Sequence, residues 1–195
     1  MDRAATRPML TSLPNLLTYG RILAVPALAL CFLLVRDDRG RWLSLAIFVV
    51  ACLTDWLDGY LARVWDQQST LGRMLDPIAD KLLVGTALLL LVNDNTIDRG
   101  SIAAAIIILC REILVSGLRE FLAELKKQVH VTQLAKYKTT LQMIALGVLI
   151  AGPAGDKLIP GVSGTGNVLL WVAALLTLYT GYDYLKAAIE YAIEH

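Results

Sequence analysis

Charge is scarce in this sequence. Asp, Glu, Lys and Arg make up 18% of its 195 residues, where a soluble domain of this size carries about a quarter. That shortage argues against a water-soluble globule, and the 56% of hydrophobic residues argue for lipid as the solvent. A basic excess is missing as well: the formal net charge is +1, without the electrostatic footprint of a nucleic-acid binder. Histidine is nearly absent, with His130 internal and His195 terminal, so Ser–His–Asp and Cys–His catalysis have almost nothing to build on. Cys31, Cys52 and Cys110 are odd in number, lack CxxC spacing and each sit in an apolar run. Neither a disulfide framework nor a zinc site follows from them; we read them as buried small hydrophobes. A cleavable leader is not evident either. Arg3 and Arg7 precede an apolar stretch from Ile22 to Val35, but no A-x-A pattern follows it, and the expectation is a retained first membrane helix.

What is abundant is apolar segments. Six can be marked: about Pro14–Val35, Trp42–Arg63, Asp76–Val92, Ser101–Leu125, Leu134–Gly152 and Asn167–Ala188. The charged run 36–41, the turn-rich run 93–96 and the Gly- and Pro-containing stretch Gly152–Gly166 separate several of them. The expected fold is an all-α integral membrane protein, a bundle of six transmembrane helices over residues 13–195, with residues 1–12 a cytoplasmic segment. A spanning helix needs about 20 mainly apolar residues, and two runs fall short of that. The second is uninterrupted only from Trp42 to Thr54 and the third only from Leu82 to Val92. Each reaches full span only by carrying aspartates into the membrane's edge. Ionisable groups at that depth are costly and face a bundle interior or a wet cavity, so these polar ends read as walls of a site. With a cytoplasmic N-terminus, twelve Lys and Arg fall inside and five outside, the bias of the positive-inside rule. Both termini and the aspartates then face the cytoplasm, across the inner membrane.

Those aspartates form the richest pattern in the chain. Asp55 and Asp58 are three apart on the second helix and share a face; Asp76 and Asp80 are four apart at the start of the third. A short connection makes the two helices antiparallel neighbours and puts both pairs at one depth. Pro77 suits the first turn of a helix, where a missing N–H costs nothing. Two unit charges about 4 Å apart repel by roughly 4 kcal/mol at an effective dielectric near 20, so the cluster must hold protons or bind cations. An all-oxygen donor set favours hard ions such as Mg²⁺ or Mn²⁺, and two of them can clamp a diphosphate. Gly59, Ala62 and Gly72 leave space for a nucleotide, and Arg63 offers a forked donor for phosphate. Taken singly, an aspartate pair can be a helix–helix hydrogen-bonding device or a proton relay, and small residues in membrane helices are commonly packing points.

The ordered combination D-x2-D-G-x2-A-R-x8-G-x3-D-x3-D over Asp55–Asp80 resembles, at every defined position, the signature of the CDP-alcohol phosphotransferases. That resemblance implies six transmembrane helices, usually in a homodimer, with a site open to the cytoplasm. It implies that Asp55, Asp58, Asp76 and Asp80 bind two divalent cations and that Asp80 is the general base. Asp58, Gly59, Ala62, Arg63 and Gly72 would line the CDP pocket. Arg73 is a further candidate for the cavity wall.

The remaining polar residues bear on the acceptor alcohol. Arg111 and Arg119 lie eight apart on the fourth helix, and Lys136 and Lys138 open the fifth. Arg119 and Lys138 are expected to approach one cytoplasmic cavity. Arg111, deep in its helix, needs a partner; its neighbour Glu112 is expected to point elsewhere, leaving a cavity aspartate as the structural candidate. Read functionally, Arg111, Arg119 and Lys138 are an anion pocket for an acceptor that itself carries phosphate. The patterns around Arg111, Arg119 and Lys138, with the opening Leu13-Pro14-Asn15 to Arg21, resemble the branch of the family that uses glycerol 3-phosphate. Asn15, Thr18 and Arg21 repeat every three residues on one face, as cavity lining or interfacial anchors. The expected activity is phosphatidyl transfer from CDP-diacylglycerol, a membrane lipid, to glycerol 3-phosphate. Inositol phosphate or phosphatidylglycerol are alternative acceptors. A proton-coupled transporter and a membrane scaffold are the rivals from other classes, though no convincing repeat relates the two halves.

Overall fold

The computed structural model describes residues 13–65, 70–124 and 133–194. Six helices and no strand occur among them: α1 (Leu13–Leu34), α2 (Asp38–Trp65), α3 (Thr70–Asn93), α4 (Ile102–Glu124), α5 (Gln133–Asp156) and α6 (Val162–Glu194). The chain divides into two compact units, residues 1–90 and 91–195.

In the first unit α1 packs on α2. The turn between them is short because Asp37 caps α2, its Oδ1 accepting the Gly40 N–H at 3.0 Å, the N-cap to N3 bond that satisfies a free helix donor. Gly40 is required here, since a Cβ would lie 1.8 Å from the Val35 carbonyl oxygen. As a result α2 starts at Asp38, and most of the charged run expected to be loop is helix. α3 likewise begins earlier than expected, at Thr70. Pro77 is therefore inside the helix rather than in its first turn, where its missing N–H removes one backbone bond. Leu28, Phe48, Ala79, Leu83 and Ala87 are buried in this unit.

In the second unit α6 packs on both α4 and α5. Buried residues on α4 run Ala104, Ile108, Arg111, Val115 and Leu122, the three- and four-residue spacing of one helix face. On α6 the buried face is Leu170, Ala173 and Ala174, then Thr177, Thr180, Gly181 and Tyr184, so its lining turns from apolar to polar toward the C-terminus. Gly166 lets α5 come close, as a Cβ there would meet Leu149 Cγ at 2.7 Å. The stretch expected to be loop from Gly152 stays helical to Asp156, bent at Gly152 (φ 38) ahead of Pro153. Asp156 then caps α6, accepting from the Ser163 N–H at 3.0 Å and from the Ser163 hydroxyl. Those hydrogen bonds, the hydroxyl's first, hold the Asp156 carboxyl below its ordinary range.

The outer faces invert the pattern of a soluble protein. Leu16, Leu23, Leu30, Val168, Leu175, Tyr179 and Tyr182 are all more than half exposed. Two stretches, Leu16–Leu34 and Val162–Lys186, are long and apolar enough to cross a membrane. Charged residues lie within the apolar stretches of α2, α3 and α4: Asp55 and Asp58, Asp76, Asp80 and Lys81, and Arg111 and Glu112. Of the cysteines, Cys31 is buried, Cys52 intermediate and Cys110 exposed. Cys110 thus departs from the expected burial, because it follows the outward face of α4 rather than the stripe containing Ile108 and Arg111.

Candidate active site

Thr18 and Arg21 lie three apart on α1, and both side chains are buried. Arg21 Nη1 meets Asp55 Oδ1 on α2 at 2.6 Å, and the Thr18 hydroxyl donates to Asp76 Oδ1 on α3 at 2.6 Å. One face of α1 therefore reaches one carboxylate from each expected aspartate pair. A buried guanidinium demands a counter-charge, and the fixed turn between Arg21 and Thr18 carries that constraint across to Asp76. Asp55 lies within electrostatic range of Asp76, and Asp55 and Asp80 both lie within range of Cys52. Asp80 is half-buried and Gly72 buried. The side chains of Asn15, Asp58, Gly59, Ala62, Arg63 and Arg73 lie outside the described residues, although all six positions are helical.

The donor chemistry of Asp55, Asp76 and Asp80 is all oxygen and suits a hard divalent cation. Among the described residues no three His, Cys, Asp or Glu side chains are gathered around one ion-sized point. Arg21 and Thr18 supply the Asp55 and Asp76 carboxylates with a positive charge and a hydrogen bond.

The second unit holds a separate charged cluster. Arg111 Nε donates to the Thr177 carbonyl at 3.1 Å, its Nη2 lies 3.4 Å from Thr180 Oγ1, and its Nη1 donates to Glu112 Oε1 at 3.1 Å. Gly181 gives the guanidinium room, since a Cβ there would stand 3.4 Å from Arg111 Cγ and Nε. Lys138 Nζ donates to the same Glu112 Oε1 at 3.0 Å and to Thr177 Oγ1 at 3.3 Å. The expectation that Glu112 points away is thus incorrect. Arg111 and Glu112 are adjacent on the helix, but both side chains are long enough to turn toward Lys138. The suggested aspartate partner for Arg111 is replaced by this glutamate and by α6. Arg119 is more exposed and stands over the Tyr184 ring at 5.5 Å, within electrostatic range of Arg111. Among the described residues the buried Tyr184 hydroxyl has no hydrogen-bond partner.

Arg111 and Lys138 are brought together by Glu112, and Arg119 stands over Tyr184. Thr177, Thr180, Gly181 and Tyr184 were missed from sequence, and Glu112 was named but turned the wrong way. The signal available for the α6 residues was their three- and four-residue spacing on an otherwise apolar helix, which reads as packing until the opposite cations are in place.

Among the described residues the fold is all helical, with aspartates at a fixed spacing along two helices and contacts to a third. The model of the CDP-alcohol phosphatidyltransferase family matches residues 11–179, and the chain belongs to that family. A protein of Rickettsia bellii (strain RML369-C) named CDP-diacylglycerol–glycerol-3-phosphate 3-phosphatidyltransferase is 46% identical over 92% of this chain and 97% of its own length. Proteins of the same name from Sodalis glossinidius (strain morsitans) and Cereibacter sphaeroides are 41% and 37% identical. They cover 96% and 92% of this chain and 100% and 96% of their own lengths. The chain is thus an enzyme, membrane-associated like its family, and the transporter and scaffold readings are set aside. Members of the family generally depend on a divalent metal.

Proposed function

We propose that this enzyme transfers the phosphatidyl group of CDP-diacylglycerol to glycerol 3-phosphate, releasing CMP and leaving phosphatidylglycerol phosphate in the membrane. The observation that carries this reading is the coupling of Asp55 and Asp76 by Arg21 and Thr18, in a chain that retains all eight signature residues. The relatives' shared name supports glycerol 3-phosphate as acceptor.

In the proposed mechanism, Asp55, Asp58, Asp76 and Asp80 hold two divalent cations, Mg²⁺ or Mn²⁺. When bound, these supply charge that polarises the diphosphate and stabilises its leaving oxygen. Asp58, Gly59, Ala62, Arg63 and Gly72 receive the CDP moiety, and Asn15 and Arg73 line the cavity beside Thr18 and Arg21. Thr18 and Arg21 keep Asp76 and Asp55 oriented, so that little reorganisation accompanies the reaction. Arg111, Arg119 and Lys138 take the acceptor's phosphate through charge-assisted hydrogen bonds. Asp80 accepts the proton of the acceptor's primary hydroxyl. The hydroxyl oxygen bonds to the phosphorus bearing diacylglycerol, the bond to the CMP oxygen breaks, and CMP carries away that electron pair.

Residues 13–195 form the catalytic part, with all six helices crossing the inner membrane, the site facing the cytoplasm and residues 1–12 leading in on that side. The exposed apolar faces of α1 and α6 support lipid contact and leave surface for a homodimer. Purified enzyme given CDP-diacylglycerol, Mg²⁺ and glycerol 3-phosphate is expected to release CMP and form a phosphorylated lipid. Release only with inositol phosphate or phosphatidylglycerol would refute the acceptor assignment.

A further inference from the structure

In the described structure a single oxygen, Glu112 Oε1, accepts from two cations on different helices: Arg111 Nη1 at 3.1 Å and Lys138 Nζ at 3.0 Å. Both cations are nearly enclosed, with 7% and 6% of their side chains exposed, while Glu112 keeps 23%. Like charges this close and this dry repel strongly, and the shared carboxylate oxygen holds them together. Such an oxygen occupies the kind of position a phosphate oxygen takes between an arginine and a lysine. Counting formal charges, Arg111 and Lys138 against Glu112 leave one net positive charge, to which the nearby Arg119 adds a second. The Tyr184 ring lies under Arg119 in the same unit, and its buried hydroxyl has no hydrogen-bond partner among the described residues.

We propose that Glu112 is the positioning residue of the acceptor-phosphate site, an internal counter-ion. It keeps Arg111 and Lys138 paired when no phosphorylated acceptor is present, and its charge limits how tightly one is held. This rests on the assignment of glycerol 3-phosphate to these cations. The carboxylate has two separable properties: the bridging oxygen, which sets the spacing of the two cations, and the negative charge, which opposes an incoming dianion. Glu112→Gln keeps an accepting oxygen of the same reach and removes the charge. Glu112→Ala removes both.

The two variants are therefore expected to move the acceptor's KM in opposite directions. Glu112→Gln lowers the KM for glycerol 3-phosphate about tenfold, a fraction of what one unit charge at this range exerts in a protein interior. It also lowers the concentration of inorganic phosphate that half-inhibits the enzyme. Glu112→Ala raises both, because Arg111 and Lys138 lose their common partner. Neither variant changes the KM for CDP-diacylglycerol more than about twofold, since the charge acts on the acceptor's phosphate. A KM for glycerol 3-phosphate that is unchanged in both variants, or raised in Glu112→Gln, overturns the proposal, and a lowered melting temperature alone does the same. Should Glu112→Ala fail to fold, the isosteric Glu112→Gln decides by itself through its KM and phosphate inhibition. Wild-type enzyme that transfers only to unphosphorylated alcohols defeats the acceptor assignment, a failure visible before any variant is made.

Discussion

A guanidinium shut away from water must keep a counter-charge, and Arg21, 1% exposed, keeps Asp55. Breaking a fully buried pair from one side costs about 3–5 kcal/mol. Here the cost is smaller because the Asp55 side chain is 45% exposed and solvent screens it. Asp55→Asn is expected to lose activity and also to lower the melting temperature in detergent, because Arg21 stays behind in its buried place. Asp80→Asn is expected to behave differently. Loss of a general base lowers kcat by about 10²–10⁴-fold, an effect on turnover rather than on a buried guanidinium's counter-charge. CMP release and thermal unfolding measured on both variants separate the two roles. The positions of Thr18 and Arg21 were legible as a repeat of three along α1. Their partners were not, since Thr18 and Asp76 are 58 residues apart and nothing local selects one aspartate over another.

Among the elements, α6 shows how one helix serves two environments. Val168, Leu175 and Tyr179 face outward, while Thr177, Thr180 and Gly181 face the α4 and α5 cations. Sequence reading expected an apolar segment over Asn167–Ala188, inside the observed Val162–Glu194, and took it as apolar because threonine and glycine in a membrane helix pack as well as they bind. Its N-terminal cap makes a pH prediction. The Asp156 carboxyl, held down by the Ser163 hydroxyl and N–H, binds a proton less readily in the folded chain than the ordinary carboxyl of the unfolded chain, with its pKa of about 3.9. Its contribution to stability is present above about pH 4 and is lost as the pH falls through the lower folded value. Melting temperatures in detergent should therefore drop less steeply between pH 5 and about pH 3 in Asp156→Asn than in the wild type. α3 makes the opposite point about legibility. Pro77 was read as a helix start, a sound local rule, but the helix runs on through it from Thr70 because a proline inside a membrane helix costs only the bond it removes when neighbours hold the turn.

For the whole molecule, the distribution of Lys and Arg predicts that both termini face the cytoplasm. A C-terminal alkaline phosphatase fusion is expected to be inactive and a C-terminal green fluorescent protein fusion bright; the reverse result would turn the site to the outside. The reaction class was readable from the sequence by itself. The eight spaced residues from Asp55 to Asp80 resemble a family signature, and a signature held within 26 residues needs no tertiary contact to be recognised. The six helices were readable too, because apolar length is a local property. Only the tertiary structure decided which polar groups pair: Arg21 with Asp55, Thr18 with Asp76, and Glu112 with both Arg111 and Lys138. Such pairings depend on how helices distant in sequence pack and how much water that packing excludes, and no periodicity along the chain encodes either.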